Sequence, residues 1–221
     1  MAATKGQRIG IWIIAVFMAV GTIGSFIIIV LANQNNQTDQ SKYNELYAEY
    51  QKEQTAYQEK VAVQAKELSN QYYPTFSQYA SRPSTFDKMS ITELKTEDLA
   101  VGTGEELTEE STFTAYYIGW TGDGNVFDGS IEGESLKSPF TAAPGSVIKG
   151  WTQGVAGMKV GGVREISIPS ELAYGEAGSG ESIPPNSDLK FVVMTIPTPE
   201  QIPQPEPSEE LVTLYTRLYG Q

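Results

Sequence analysis

The pattern of hydrophobic and polar positions changes twice in the first third of the chain. Ile9 to Ala32 (IGIWIIAVFMAVGTIGSFIIIVLA) is apolar on every side and carries no charge. At ~1.5 Å per helical residue it reaches roughly 36 Å, more than the ~30 Å hydrocarbon layer of a bilayer. Lys5 and Arg8 stand just before it, and the first acid, Asp39, comes well after. The positive-inside bias then puts residues 1–8 in the cytoplasm and everything after Asn33 outside. A cleaved signal peptide competes with this reading, with Val30-Leu31-Ala32 as a passable cleavage site. Against it, the apolar stretch of a signal peptide runs to only ~7–15 residues. The expectation is a single-pass transmembrane anchor over residues 9–32, a signal-anchor with the lipid bilayer as partner. The remainder of the chain then lies on the extracytoplasmic side of the cell membrane.

Residues 33–39 are polar, and residues 40–73 then turn to Gln, Glu, Lys, Ala and Tyr with no Gly or Pro, a helix-forming composition. Tyr43, Tyr47, Tyr50, Gln54, Tyr57, Val61, Gln64 and Leu68 recur at four- and three-residue steps and draw one half-polar seam. This predicts a long juxtamembrane helix within 33–73 that Pro74 ends. Three roles stay open for it: a solvated spacer, a helix packed on the chain's own domain or C-terminal tail, and a coiled-coil dimer. Residues 74–89 read as a linker. From Ser90 to Thr198 the texture is strands and turns, with strands expected at 91–94, 112–120, 163–168 and 189–196 and one short helix at 149–155. Beyond them, Pro197, Pro199, Pro203, Pro205 and Pro207 favour an extended polyproline segment. In the last stretch Ser208 is placed to cap a helix, Glu209 and Glu210 fall in its first turn, and Leu211, Leu214, Tyr215 and Leu218 share one face. So short a helix is marginal alone and is expected to dock, with the tyrosine-bearing helix the first candidate.

Composition narrows the chemistry. The net charge is −12, which repels phosphate backbones and argues against nucleic-acid binding. The chain has no His and no Cys, which excludes Ser-His-Asp and Cys-His nucleophiles, thiolate or imidazole metal sites and disulfides. Twenty-one Gly and twelve Pro imply many turns, hence a β-rich or α+β domain. The Gly-rich pieces at 102–104 and 175–180 lack the strand–GxxxxGK–helix context of a phosphate cradle.

Residues 90–198 carry an ordered set of short motifs. Ala115-Tyr116-Tyr117-Ile118-Gly119-Trp120 leads into Asp123-Gly124-Asn125-Val126-Phe127-Asp128-Gly129-Ser130, and Ser138-Pro139-Phe140 follows. Then come Val147-Ile148-Lys149-Gly150-Trp151 with Gly154-Val155 and Gly157-Met158, Gly161-Gly162 up to Ser167-Ile168-Pro169, Leu172-Ala173-Tyr174-Gly175, Ile183-Pro184-Pro185-Asn186 and Leu189-Lys190-Phe191. In order and spacing this half of the chain resembles the FKBP-type peptidyl-prolyl cis-trans isomerases. It departs where the family often has a further aromatic and Ala142 stands instead, and in the loops 131–137 and 176–182.

The resemblance implies an α+β fold, a twisted antiparallel sheet wrapped around one short helix, the latter at 149–155. It also implies an enzyme needing no metal and no cofactor. Trp151 is expected as the floor of a proline pocket, with Tyr117, Phe127, Val147, Ile148 and Phe191 as walls and Phe140 and Ile183 at the rim. The Tyr174 hydroxyl and the Ile148 amide are expected to bond substrate carbonyls, and Asp128 to orient a neighbour or polarise the amide region. The implied partners are X-Pro-containing protein substrates and, as ligands, the macrolides that bind the family. The implied task is assisting folding of exported or surface proteins. A tethered, non-catalytic binding, scaffold or chaperone module is the alternative. On pattern alone, Trp151, Tyr117 and Phe191 read as core rather than pocket, and it is the resemblance that places them in the cleft.

Overall fold

The structure is a computed structural model that describes residues 37–220. The expected anchor at 9–32 lies outside the described residues. Among those described, no helix is long and apolar enough to cross a membrane.

The chain forms two compact units, one built from residues up to Gln51 together with those from Glu206 onward, the other from Lys52–Pro205. Helix α1, Gln37–Phe76, contributes to both. In the first unit, Tyr43, Leu46, Tyr47 and Tyr50 of α1 meet Leu211, Leu214, Tyr215, Leu218 and Tyr219 of helix α3, Glu209–Tyr219. The Tyr43 and Tyr47 rings stack at 5.7 Å, and Tyr219 meets Tyr43 edge-on at 5.5 Å. Arg217 pairs with Asp39 at 3.0 Å, and the Tyr219 hydroxyl donates to Gln40 Oε1 at 3.0 Å. The start of α3 is capped as expected: Ser208 Oγ accepts from the Leu211 amide at 3.2 Å. This satisfies one of the four amides a helix start leaves bare.

The second unit is organised by one sheet. Its strands are β1 (Lys95–Ala100), β2 (Phe113–Thr121), β3 (Val126–Gly129), β6 (Phe140–Ala142), β7 (Val163–Ile168) and β8 (Leu189–Ile196), with a small hairpin of β4 (Ile131–Glu132) and β5 (Ser135–Leu136) beside it. The order is β1-β7-β8-β2-β3, with β6 also on β2, and every pairing is antiparallel. The strand expected at 91–94 is displaced to Lys95–Ala100. Its outer residues are exposed, so the edge shows no apolar alternation to read.

Strand alternation splits β2 between two cores. Phe113, Ala115 and Tyr117 join Trp151, Ile166, Ile168, Phe191 and Val193 on one face. Tyr116, Ile118 and Trp120 join Val192, Met194 and Ile196 on the other. The first face receives helix α2, Lys149–Val155. It can approach because Gly150 and Gly154 carry no Cβ: one added there would stand 2.2 Å from Ile168 Cγ2 and 2.6 Å from Ile166 Cγ2. Arg164, buried on β7, donates to the Gly154 and Ala156 carbonyls at 3.0 and 2.9 Å, closing the C-terminal end of α2. It also grips Asp98 at 2.6 and 3.1 Å, and this bonding holds the Asp98 carboxyl below its ordinary value.

The second face is covered by the last turns of α1. Leu68, Tyr72 and Tyr73 pack there, and Phe76 is fully buried against Tyr116. This corrects two expectations. Pro74 does not end the helix, which runs on to Phe76, and residues 74–89 are not a free linker, since Phe76, Tyr79 and Phe86 all belong to the back core. A proline inside a helix costs about 3 kcal/mol. Burying Phe76 returns about 1.5–3 kcal/mol, and the neighbouring tyrosines add to it.

The polar positions of the α1 seam also find partners. A polyproline stretch makes no hydrogen bonds within itself, so its carbonyls need outside donors. Gln54 Nε2 donates to Pro205 O at 3.0 Å and Gln64 Nε2 to Glu200 O at 2.8 Å. Ten helical residues rise about 15 Å, which is the span that five residues of the expected polyproline segment would cover at about 3.1 Å each. Of the three roles left open for α1, packing on the chain's own domain and tail is the one seen.

Candidate active site

Around Trp151 the rings form a box. Tyr117, Phe140 and Phe191 stand at 5.4, 5.2 and 5.2 Å from its indole, inclined at 86°, 73° and 80° to it. The expected walls Tyr117 and Phe191 and the expected rim residue Phe140 all stand steeply to the indole plane. Phe127 meets Phe191 edge-on at 5.6 Å. Val147 and Ile148 pack on the same cluster. Trp151 and Phe191 are nearly closed from solvent, whereas Tyr117, Phe127, Phe140, Val147 and Ile148 are part-exposed and Tyr174 is 39% exposed. Ile183, expected at the rim, is 5% exposed, is held by the bridge to Ser179, and packs in the core cluster that contains Trp151.

Strand geometry explains how neighbours in sequence face one cavity. Gly119 pairs with Asp128 on β3 and with Phe191 on β8, so all three project to the front face. The register between β2 and β3 then slips, Trp120 pairing with Val126, which leaves Phe127 as an extra, bulged residue. The bulge turns Phe127 to the same side as Asp128. Gly119 leaves room for both rings: a Cβ there would stand 2.6 Å from Phe191 and 2.7 Å from Phe127.

The Tyr117 hydroxyl donates to Asp128 Oδ2, and Asp128 Oδ1 accepts from the Gly129 amide at 2.8 Å. Burial, then the bond to Asp128 and its charge, push the Tyr117 phenol well above its ordinary range. Burial, then the Asp128 charge, also raise Tyr174, placing its hydroxyl within the field of the same carboxylate. Both phenols therefore remain protonated donors at neutral pH. Ile148, at the start of α2, uses its carbonyl for the Trp151 amide at 2.9 Å. Among the described residues nothing accepts from the Ile148 N–H, so it is free for a substrate carbonyl. No group of His, Cys, Asp and Glu able to hold a metal occurs among the described residues.

One member was missed at the sequence level. Phe113 stacks on Trp151 at 6.3 Å and 12°, and meets Phe140 edge-on at 6.3 Å. Its signal was present, since it lies four residues before Tyr117 on the same face of β2.

The profile of the family "FKBP-type peptidyl-prolyl cis-trans isomerase" matches residues 104–196. An FK506-binding protein of Neisseria meningitidis is 43% identical over 97 residues, spanning 44% of this chain and 88% of that protein. The chain belongs to the FKBP-type peptidyl-prolyl isomerases. FK506-binding protein 2 of Yarrowia lipolytica is 45% identical over 92 residues, 39% of this chain and 62% of that one. The crystal structure of AtFKBP13 aligns at 35% identity over 52% of this chain and 100% of that chain, with a TM-score of 0.43. As a family member the chain is a prolyl cis-trans isomerase, and the box around Trp151 is where its chemistry is to be sought.

Proposed function

We propose that this isomerase is tethered to the cytoplasmic membrane by residues 9–32 and speeds X-Pro rotation in exported or surface proteins on the outer side. The observation that carries the catalytic part is the set of three rings standing upright on Trp151, of which Tyr117 and Phe140 are part-exposed. The uncharged run from Ile9 to Ala32, with Lys5 and Arg8 before it, supports the tether and its orientation.

The amide C–N bond has partial double-bond character and a rotation barrier of ~18–20 kcal/mol. X-Pro isomers exchange uncatalysed in ~10–100 s at 25 °C. At the transition state the amide is twisted, resonance is lost and the carbonyl dipole shrinks. Water favours the planar, more polar ground state. A dry ring-lined pocket removes part of that preference and holds the prolyl ring on Trp151. The Ile148 amide and the Tyr174 hydroxyl hold the flanking carbonyls, so rotation is confined to one bond. Tyr117 holds Asp128 against the wall, where its charge faces the twisted amide rather than acting as a base. No bond breaks, so no nucleophile is needed, and each ~1.4 kcal/mol of differential binding gives tenfold in rate. Macrolides of the kind the relatives are named for fit the same cleft as competitors.

The test is NMR exchange on an X-Pro peptide with the full chain in detergent, beside Trp151→Ala and Asp128→Ala. An uncatalysed rate for the wild type removes the catalytic claim. For the tether, protease added outside sealed spheroplasts should cleave the domain while leaving a membrane-bound stub. Protection of the domain, or its recovery in the soluble fraction, removes that part.

A further inference from the structure

The segment between two cleft residues, Asp128 and Phe140, is held by α1 from behind. Its β4–β5 hairpin has only two residues per strand, too little to hold a shape unaided. On the cleft side it is stitched to β2. The Ser130 amide donates to Tyr117 O at 2.7 Å, the Tyr117 amide to Ser130 Oγ at 2.9 Å, and the Lys137 amide to Ser130 O at 2.8 Å. Lys137 Nζ donates to Gly129 O at 2.8 Å and lies 3.9 Å from Asp128 Oδ1. On the other side Leu136 is buried in the back core with Phe76, and its amide donates to Ser69 Oγ of α1 at 2.7 Å. Ser69 is 5% exposed and Leu136 is 5% exposed, so no water competes for that bond. Tyr73 adds an outer contact to Gly133 O at 3.4 Å.

We propose that Ser69 and Leu136 are positioning residues of the isomerase site. Through one buried bond and one buried side chain, α1 fixes the hairpin. The hairpin fixes Lys137 and Ser130, and these fix Asp128 and Tyr117. The helix is thus part of the catalytic scaffold. This rests on the cleft around Trp151 being the site of isomerisation.

Turnover at saturating X-Pro peptide, KM and the melting temperature are to be measured in the full chain for wild type, Ser69→Ala, Ser69→Thr and Trp151→Ala. Loss of one buried hydrogen bond translates to a fall of roughly 3- to 10-fold. In Ser69→Ala it is expected in kcat with KM unchanged, well below the melting temperature, and Ser69→Thr, which keeps the hydroxyl, should restore it. A wild-type kcat in Ser69→Ala overturns the proposal, as does a fall that Ser69→Thr fails to restore. Should Ser69→Ala not fold, Leu136→Val carries the same expectation, and a wild-type kcat there overturns it equally. Trp151→Ala separates the two readings. If it turns over like wild type, the cleft assignment fails. If it is inactive while Ser69→Ala is unimpaired, only the positioning role fails.

Discussion

The two faces of strand β2 use the same kinds of residue for opposite ends. On the front, Phe113 and Tyr117 stand around Trp151, and the part-exposed Tyr117 phenol has a partner in Asp128. On the back, Tyr116 and Trp120 are fully buried under α1, and both the Tyr116 hydroxyl and Trp120 Nε1 lack a partner among the described residues. The front answers its Tyr117 phenol, keeps the Ile148 N–H open and leaves Tyr117, Phe127 and Phe140 part-exposed. The back closes completely at the expense of two unanswered donors. Aromatic content alone therefore does not mark a site. The distinguishing features are perpendicular rings left ajar and a carboxylate at their edge.

The comparison breaks most severely if α1 is removed. Residues 90–198 alone would bare Tyr116, Ile118, Trp120, Val192, Met194 and Ile196. At about 1.5–3 kcal/mol for each large side chain uncovered, the loss rivals the 5–15 kcal/mol stability of a whole domain. That fragment is expected to lack a cooperative thermal transition, checked by calorimetry. Residues 37–221 should keep the transition.

Next in size, Phe76→Ala should lower stability by about 3–5 kcal/mol in denaturant titration, while kcat/KM of the folded fraction falls less than in Trp151→Ala. Trp151→Ala should do the converse in activity, lowering kcat/KM at least about tenfold. Similar activity losses in both would erase the distinction between the faces.

A smaller effect concerns Tyr116. Burial, with a lesser contribution from Tyr72, pushes its phenol from 10.0 up to about 12. The folded state thus holds the proton more tightly than the unfolded chain. Its contribution is intact below pH 10 and is lost as pH rises from about 10 to about 12. Tyr116→Phe should flatten that alkaline loss in pH-resolved melting. At neutral pH it should be neutral or stabilising by about 1 kcal/mol, because an unanswered hydroxyl disappears. The smallest effect is expected from Gln64→Ala. Loss of its exposed bond to Glu200 should cost about 0.5 kcal/mol, seen as a small drop in melting temperature.

The front face was largely legible in the sequence. Its residues sit in short motifs, and the helix at 149–155 and the strands at 163–168 and 189–196 lie where expected. Phe113 was readable too, from period-two spacing, but fell outside any motif. The back face was hidden for a physical reason. The α1 seam mixes tyrosine with glutamine, which reads as solvated, yet the glutamines answer tail carbonyls and Ser69 answers a hairpin amide. Phe76 stands two residues past a proline, where a helix is expected to have ended. In both places tertiary packing overrode a local rule.

The pair Gln54 and Gln64 acts as a vernier. A single residue inserted between them would swing one amide about 100° around the helix and out of reach, while the tail opposite would keep its spacing. The stretch 54–64 should therefore accept exchanges of side chain far more readily than any change of length, although its sequence looks like featureless spacer.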